Sequence, residues 1–190
     1  MVRTNISERD VLQRGIRTHI RPLAARDETE WTRLNRASLD LHRRWFAPPT
    51  TPAQFRKYFL GEKTGNKLTL LVCLKSNGAI IGTISLSQIF YGAFCSCYMG
   101  YAVGAPYSKH GYMTEGMRLS LKHAFGTLKL HRVEANIQPG NSASLALVRR
   151  VGFQREGYSP RYLKIAGRWR DHERWAMLKE NFLPNTRRLT

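Results

Sequence analysis

The stretch from Met99 to Phe153 constrains this chain more than any other. It reads as a strand ending near Val103 and a glycine-bearing loop, Ala105-Pro106-Tyr107-Ser108-Lys109-His110-Gly111-Tyr112-Met113. A helix follows over Thr114 to about Gly126, then a strand over Arg132–Ile137. Pro139-Gly140 makes a turn, Asn141 opens a second helix to Arg150, and Gly152 closes it. A strand that feeds a helix N-terminus through such a loop collects free backbone N–H groups and the positive end of the helix dipole at one spot. Gly111 lets the backbone approach an anion closely. The loop is neither a P-loop nor a dinucleotide fingerprint, because the required glycines and the Gly-Lys-Ser/Thr ending are missing. Taken alone, one glycine before a helix is also an ordinary connection.

The remaining chain supplies the frame. Thr18, Ile20 and Leu23 alternate with polar residues, as in a half-buried strand. Asp27 reads as the N-cap of a helix from Glu28 to about Leu41. Pro48, Pro49 and Pro52 interrupt the chain, and Thr51-Pro52 reads as cap plus first helical residue of a short helix to Leu60. Leu68–Leu74 and Ala79–Ser87 are two strands around the turn Ser76-Asn77-Gly78. A third strand spans Ala93–Val103. Two more, Arg155–Ile165 and Trp169–Leu178, flank Ala166-Gly167. The order βααβββαβαββ predicts one α/β (α+β) layered domain over residues 15–180, with a polar arm over 1–14 and a tail over 181–190.

Composition narrows the classes. At 190 residues and 42% hydrophobic content, the chain suits a single folded domain rather than a disordered segment. No apolar run reaches the roughly 18–20 residues that span a bilayer, and the polar start lacks a signal-peptide core. The expectation is a cytoplasmic protein without membrane association. Three cysteines, Cys73, Cys95 and Cys97, give no disulfide framework. On a strand, Cys95 and Cys97 share one face, where they read best as small buried residues. No metal is expected, since two further ligands at sensible spacing are missing. Thirty-one Lys and Arg against 13 Asp and Glu give a net charge of +18. That field attracts nucleic acid, an acidic surface or a polyphosphate, and it repels free polycations. A solvated basic surface is the alternative.

Taken together, five segments carry a resemblance. They are C-Y-M-G-Y-A-V-G (Cys97–Gly104), H-G-Y-M-T-E-G-M (His110–Met117), L-H-R-V-E-A-N-I-Q-P-G-N-S-A-S (Leu130–Ser144), R-V-G-F-Q-R-E-G-Y (Arg150–Tyr158) and G-R-W-R-D-H (Gly167–His172). In this combination the chain resembles the GNAT superfamily, specifically its RimJ/RimL-type ribosomal-protein N-terminal acetyltransferases, over roughly Arg17 to Leu178. The resemblance implies the GNAT fold: a mixed, mostly antiparallel sheet splayed in the middle, with helices on both faces. It also implies acetyl-CoA as cosubstrate and an amine as acceptor, most often a protein N-terminus, attacking the thioester directly.

Residue by residue, the resemblance puts the CoA diphosphate on the amides of Ser108, Lys109, His110, Gly111, Tyr112 and Met113. It puts the pantetheine along Tyr101, Ala102 and Val103, splayed from Val133–Ile137. A main-chain N–H near Ala102 or Val103 would face the thioester oxygen. Asn136, Asn141 and Ser144 complete the expected cofactor contacts, Asn141 doubling as a helix N-cap. Trp45–Pro49 resembles the loop over the substrate mouth, with packing as its other reading.

The chain departs from common patterns in two places. Val148 stands where many relatives carry a thiolate-protonating Tyr, and Asn136 where some carry a basic Glu. Ser144 is then the candidate proton donor, or simply a first-turn serine. Glu134 and His131 are candidate bases, alongside a water relay. Glu156 reads as structural, and the set Arg149, Arg150, Arg155, Arg161, Lys164, Arg168 and Arg170 as a charged face that could meet CoA phosphates or rRNA. A small-amine acetyltransferase and a non-catalytic ribosome- or RNA-associated protein remain the alternative functions.

Overall fold

The computed structural model describes residues 10–186. It forms one sheet of eight strands in the order β1-β2-β3-β4-β5-β6-β8-β7. These are β1 (Gln13–Arg14), β2 (Thr18–Pro22), β3 (Lys67–Leu74), β4 (Ile80–Phe90), β5 (Ser96–Val103), β6 (Arg132–Ile137), β7 (Gln154–Ile165) and β8 (Arg168–Leu178). Every neighbouring pair is antiparallel except β5 with β6. The expected mixed, mostly antiparallel α/β sheet is the one observed.

Alternation along β3 divides the interior into two cores. Leu70 and Val72 face one side with α4 (Tyr112–Gly126) and α5 (Ser142–Val151), while Leu71 and Cys73 face the other with α1 (Glu28–Ala37) and α3 (Pro52–Leu60). Gly116 lets α4 lie close on the sheet, since a Cβ there would stand 2.7 Å from the Val72 side chain. Trp31 of α1 packs edge-on against Phe55 of α3 at 5.6 Å and donates to Thr83 Oγ1 at 2.7 Å. The Thr51 cap forms as expected, its hydroxyl accepting from the Gln54 amide. Gly152 ends α5 in the left-handed conformation, φ 110°.

Several expectations need correction. The helix expected over Glu28–Leu41 breaks at Ser38 into α1 and α2 (Leu39–His42). Ser38 Oγ donates back to the Leu34 carbonyl at 2.7 Å, a competing bond that ends a helix, and it accepts from the Ala105 amide at 2.9 Å. Asp27 does not cap α1 with its side chain. Its carboxylate instead forms a buried two-pronged pair with Arg21, both contacts 2.8 Å, and accepts from the Ala24 amide. The third strand begins at Ser96 rather than Ala93, because Gly92 and Cys95 both have positive φ. Cys95 therefore lies before the strand and shares no strand face with buried Cys97. The helix expected from Thr114 starts two residues earlier, at Tyr112.

Both domain boundaries also shift. Gln13 and Arg14 pair with β2 rather than belonging to an arm, and Leu12 packs on the main core. At the other end, α6 (Lys179–Thr186) crosses residue 180, and Phe182 is buried against Phe125 at 5.5 Å. The rest of the expected arm, residues 1–9, and of the tail, residues 187–190, lie outside the described residues. Among the described residues, no helix is long and apolar enough to cross a membrane.

Candidate active site

The site begins where pairing stops. β5 and β6 are joined at Ser96↔Arg132, Cys97↔Val133 and Tyr98↔Glu134, and then they part. On its other edge β5 stays paired with β4 as far as Gly82↔Val103. Gly104 N donates to Ile81 O at 2.8 Å in that ladder. In an antiparallel pair the bonded residues alternate, so Ala102 turns its amide to β4 while Tyr101 and Val103 turn theirs to the opening. Of the two amides expected near the thioester, Val103 has the right direction and Ala102 does not.

The opening is a cleft of about 400 Å³. Its floor is Met99–Ala102 and Ala135–Gln138, and one wall is the start of α5 with Asn141 and Ser144. Trp45 to Pro49 close over it from the side of α1 and α3. Two bonds hold the cover: Gln138 Nε2 donates to Trp45 O at 3.2 Å, and Asn35 Nδ2 donates to Pro49 O at 2.9 Å. The far wall is the β7–β8 hairpin, through Leu163, Ile165 and His172.

The glycine loop lies past the end of β5. Gly111 is the residue before α4 and has φ 79°, a conformation that an L side chain resists. Among the described residues, the amides from Lys109 to Met113 make no backbone hydrogen bond, whereas the Ser108 amide donates to Ala105 O at 3.2 Å. A fan of free amides at the start of a fifteen-residue helix is a cradle for phosphate. Arg17, which the sequence reading did not single out, adds a cation here. Its Nη2 donates to His110 O at 3.1 Å, and its guanidinium lies 4.6 Å from the Tyr112 ring centroid. The loop and cleft thus fit a long ligand with a diphosphate at one end and an extended arm along β5.

Asn141 Oδ1 accepts from Ser144 N at 3.2 Å, so Asn141 is a helix cap that also lines the cleft. Tyr101 reaches across the opening, its hydroxyl donating to Ser144 O at 3.4 Å. Burial pushes that phenol up to about 12, which keeps it protonated at neutral pH. Asn136 lines the cleft, and its Oδ1 is buried without a partner. Val148, at the position of the missing Tyr, is fully buried in the main core.

The expected bases are not brought to the cleft. Glu134 accepts from Arg132 Nε at 2.7 Å and is not among the cleft residues. His131 pairs with Glu180 at 3.0 Å on the surface. Arg132 also holds Glu156, which supports the structural reading of that residue.

His172 is what the sequence reading missed. Its Nδ1 lies 2.9 Å from the Arg170 carbonyl, which can only accept, so Nδ1 carries the proton and neutral Nε2 keeps its lone pair. Burial lowers its pKa below the ordinary 6.5, so the ring is neutral at pH 7. A buried neutral imidazole lining the cleft can accept a proton.

A splayed sheet with an amide-lined loop at the end of the splayed strand is the architecture of an acyltransferase. The family model for an acetyltransferase (GNAT) domain matches residues 17–154, and the chain belongs to that family. It is 41% identical over 103 residues to Bacillus subtilis "Probable N-acetyltransferase YjcK", covering 54% of this chain and 57% of the relative. It is 37% identical over 105 residues to the Escherichia coli "[Ribosomal protein uS5]-alanine N-acetyltransferase", covering 55% and 54%. The chain thus spans little more than half the length of these curated relatives. Mycobacterium smegmatis RimJ in complex with CoA-disulfide superposes with TM-score 0.79 at 29% identity, covering 86% of this chain and 82% of that one.

Proposed function

We propose that this chain is an acetyl-CoA-dependent N-acetyltransferase whose acceptor is a protein N-terminus. The observation that carries the reading is the free edge of β5, which runs from the cleft to the free amides at Lys109–Met113. Acetyl-CoA supplies an acyl carbon already activated as a thioester. The loop amides and Arg17 hold the diphosphate, and the Tyr101–Val103 edge bonds the pantetheine as an added strand would.

The Val103 amide faces the opening and stabilises negative charge that develops on the thioester oxygen. His172 Nε2 takes the proton of the attacking amine, because the ring lines the cleft and its Nε2 keeps a free lone pair. Ser144 lines the cleft, and its hydroxyl passes a proton to the leaving thiolate while the proton taken up by His172 restores the hydroxyl through water, so one proton moves in total from amine to thiol. Tyr101, held protonated by burial, fixes the Ser144 backbone and does not act as a base. The walls around the cleft exclude water from the reacting atoms.

The acceptor class is supported by the 37% identity to the uS5-alanine N-acetyltransferase. The net charge of +18 supports contact with an rRNA-rich surface and a cytoplasmic setting. The test is intact-mass spectrometry of ribosomal proteins incubated with this protein and acetyl-CoA, with thiol release followed in parallel. One acetyl group at one protein's N-terminus is the expected result. Transfer only to small amines would overturn the acceptor. A loss of ribosome affinity as salt rises is expected for the rRNA contact.

A further inference from the structure

The cleft is bare of charge, and its rim is not. Among the described residues, no Asp, Glu, Lys or Arg lines the cavity. An acceptor bringing several positive charges would find nothing there to neutralise them. On β8 the residue facing the cleft is His172, and alternation puts Arg170 and Arg168 on the same face. The pairing agrees. Arg170 stands opposite Leu163 and Arg168 opposite Ile165, and both partners line the cleft. Residues opposed on antiparallel strands share a face, with Cβ atoms about 4.5–5.5 Å apart.

Both arginines are exposed, and neither guanidinium has an ion-pair partner among the described residues. The acids of that sheet face are committed elsewhere. Arg132 holds Glu134 at 2.7 Å and also holds Glu156, whose carboxyl it lowers. Arg174, opposite Asn136, belongs beside Glu156. Glu173 faces the other way and pairs with Arg155 at 3.0 Å. Arg168 and Arg170 are therefore uncompensated cations on the face of β8 that carries His172, next to the hairpin residues of the cleft.

Spacing turns this into a substrate class. At about 3.3 Å per strand residue, Arg170 lies roughly 7 Å along β8 from His172, and Arg168 roughly 13 Å. An extended peptide has the same rise. With its terminal amine at His172, its residues two to four away come level with the arginines. The α-carboxylate of a free amino acid, two bonds from its amine nitrogen, does not extend to the level of Arg168, so it cannot engage both arginines.

We infer that the preferred acceptor is a peptide N-terminus with Asp or Glu within the few residues after the reacting amine, read by Arg168 and Arg170. This rests on the N-acetyltransferase reading. The test therefore measures binding separately from turnover. Peptides labelled at the C-terminus, identical except for Asp, Asn or Lys at positions three and five, which share one face of an extended chain, are titrated by fluorescence anisotropy in the presence of CoA. The same peptides, and free aspartate, are assayed for acetyl transfer.

The acidic peptide is expected to bind about fivefold tighter than the neutral one, as two exposed ion pairs allow, and the preference should shrink with salt. Arg168→Glu/Arg170→Glu should reverse the order in favour of the lysine peptide, while Arg168→Lys/Arg170→Lys should keep it. Equal binding of all three peptides, or an order unchanged in the charge-reversed variant, overturns the inference whatever the turnover. Free aspartate acetylated as efficiently as the acidic peptide overturns the peptide part. Acidic-peptide binding without transfer to any acceptor instead sinks the transferase reading and leaves the recognition surface standing.

Discussion

The two edges of β5 share one backbone and have opposite fates. Toward β4 the ladder runs unbroken from Ser87↔Tyr98 to Gly82↔Val103, whereas toward β6 it stops after three residue pairs. The residues hardly differ, since the same Met99–Val103 serves both edges. What differs is the neighbour's direction. The parallel β6 diverges, and its onward chain turns away at Pro139-Gly140 into α5. Chemistry in this fold is therefore a property of a missing partner more than of a special residue. The contrast extends to the two halves of the sheet. The β2–β4 half is filled on both faces by α1, α3 and α4, and it holds the buried Arg21–Asp27 pair. The β6–β8 half carries the cleft wall, His172 and the charged rim.

The comparison breaks most sharply at His172. His172→Ala should lower kcat about 10²- to 10⁴-fold while leaving acetyl-CoA affinity unchanged, read by steady-state kinetics and calorimetry. An unaltered kcat would move the proton acceptor to a water relay. On the structural half, Asp27→Ala should cost about 3–5 kcal/mol in denaturant unfolding, because it strands a buried guanidinium. The protein that remains folded should keep its kcat. A loss of kcat without a loss of stability would erase the division between the halves. Gly111→Asp sets a carboxylate against the diphosphate, and acetyl-CoA affinity should fall about a hundredfold, while the left-handed backbone at this position costs the free protein only about 1 kcal/mol, read as a small drop in melting temperature. Affinity that survives would detach the loop from the cofactor.

The smallest effect is a pH dependence shared by both halves. Burial lowers the pKa of His19, His42, His123 and His172 below 6.5. The unfolded chain then binds protons before the folded one does. The stability tied to these neutral rings is fully present above pH 6.5 and is lost as pH falls toward the folded values. The melting temperature should drop between pH 7 and 5. A flat profile would mean that the rings gain water or partners in solution.

The cofactor end was far more legible than the acceptor end. Gly111, the start of α4 and the Asn141 cap follow from local backbone demands, which leave a mark on residue type. His172 leaves none. It is one polar residue in a strand, and its tautomer is set by the Arg170 carbonyl while the cleft it lines is completed by distant Trp45. Arg17 likewise reaches the loop from a different part of the chain. The break at Ser38 was invisible because the helical pattern continues through it, and only the Ala105 amide shows why it is there. Glu134 failed as a base for the same kind of reason. Arg132, two residues away on the same face, claims its carboxylate.

A sheet of this kind has three unpaired borders, and two of them are guarded against sticking to other chains. β1 is only two residues long. β7 carries Arg155, Arg161 and Lys164, an interruption around Pro160 and a left-handed Arg161, all of which discourage strand addition. The third border, along Met99–Val103, has none of these protections and is as adhesive as any bare strand. It is safe because it is roofed over by Trp45–Pro49 and walled by the hairpin. Loosening that cover would bare the unpaired edge of Met99–Val103 to strand addition, so the segment that closes over the cleft also shields an open strand from other chains.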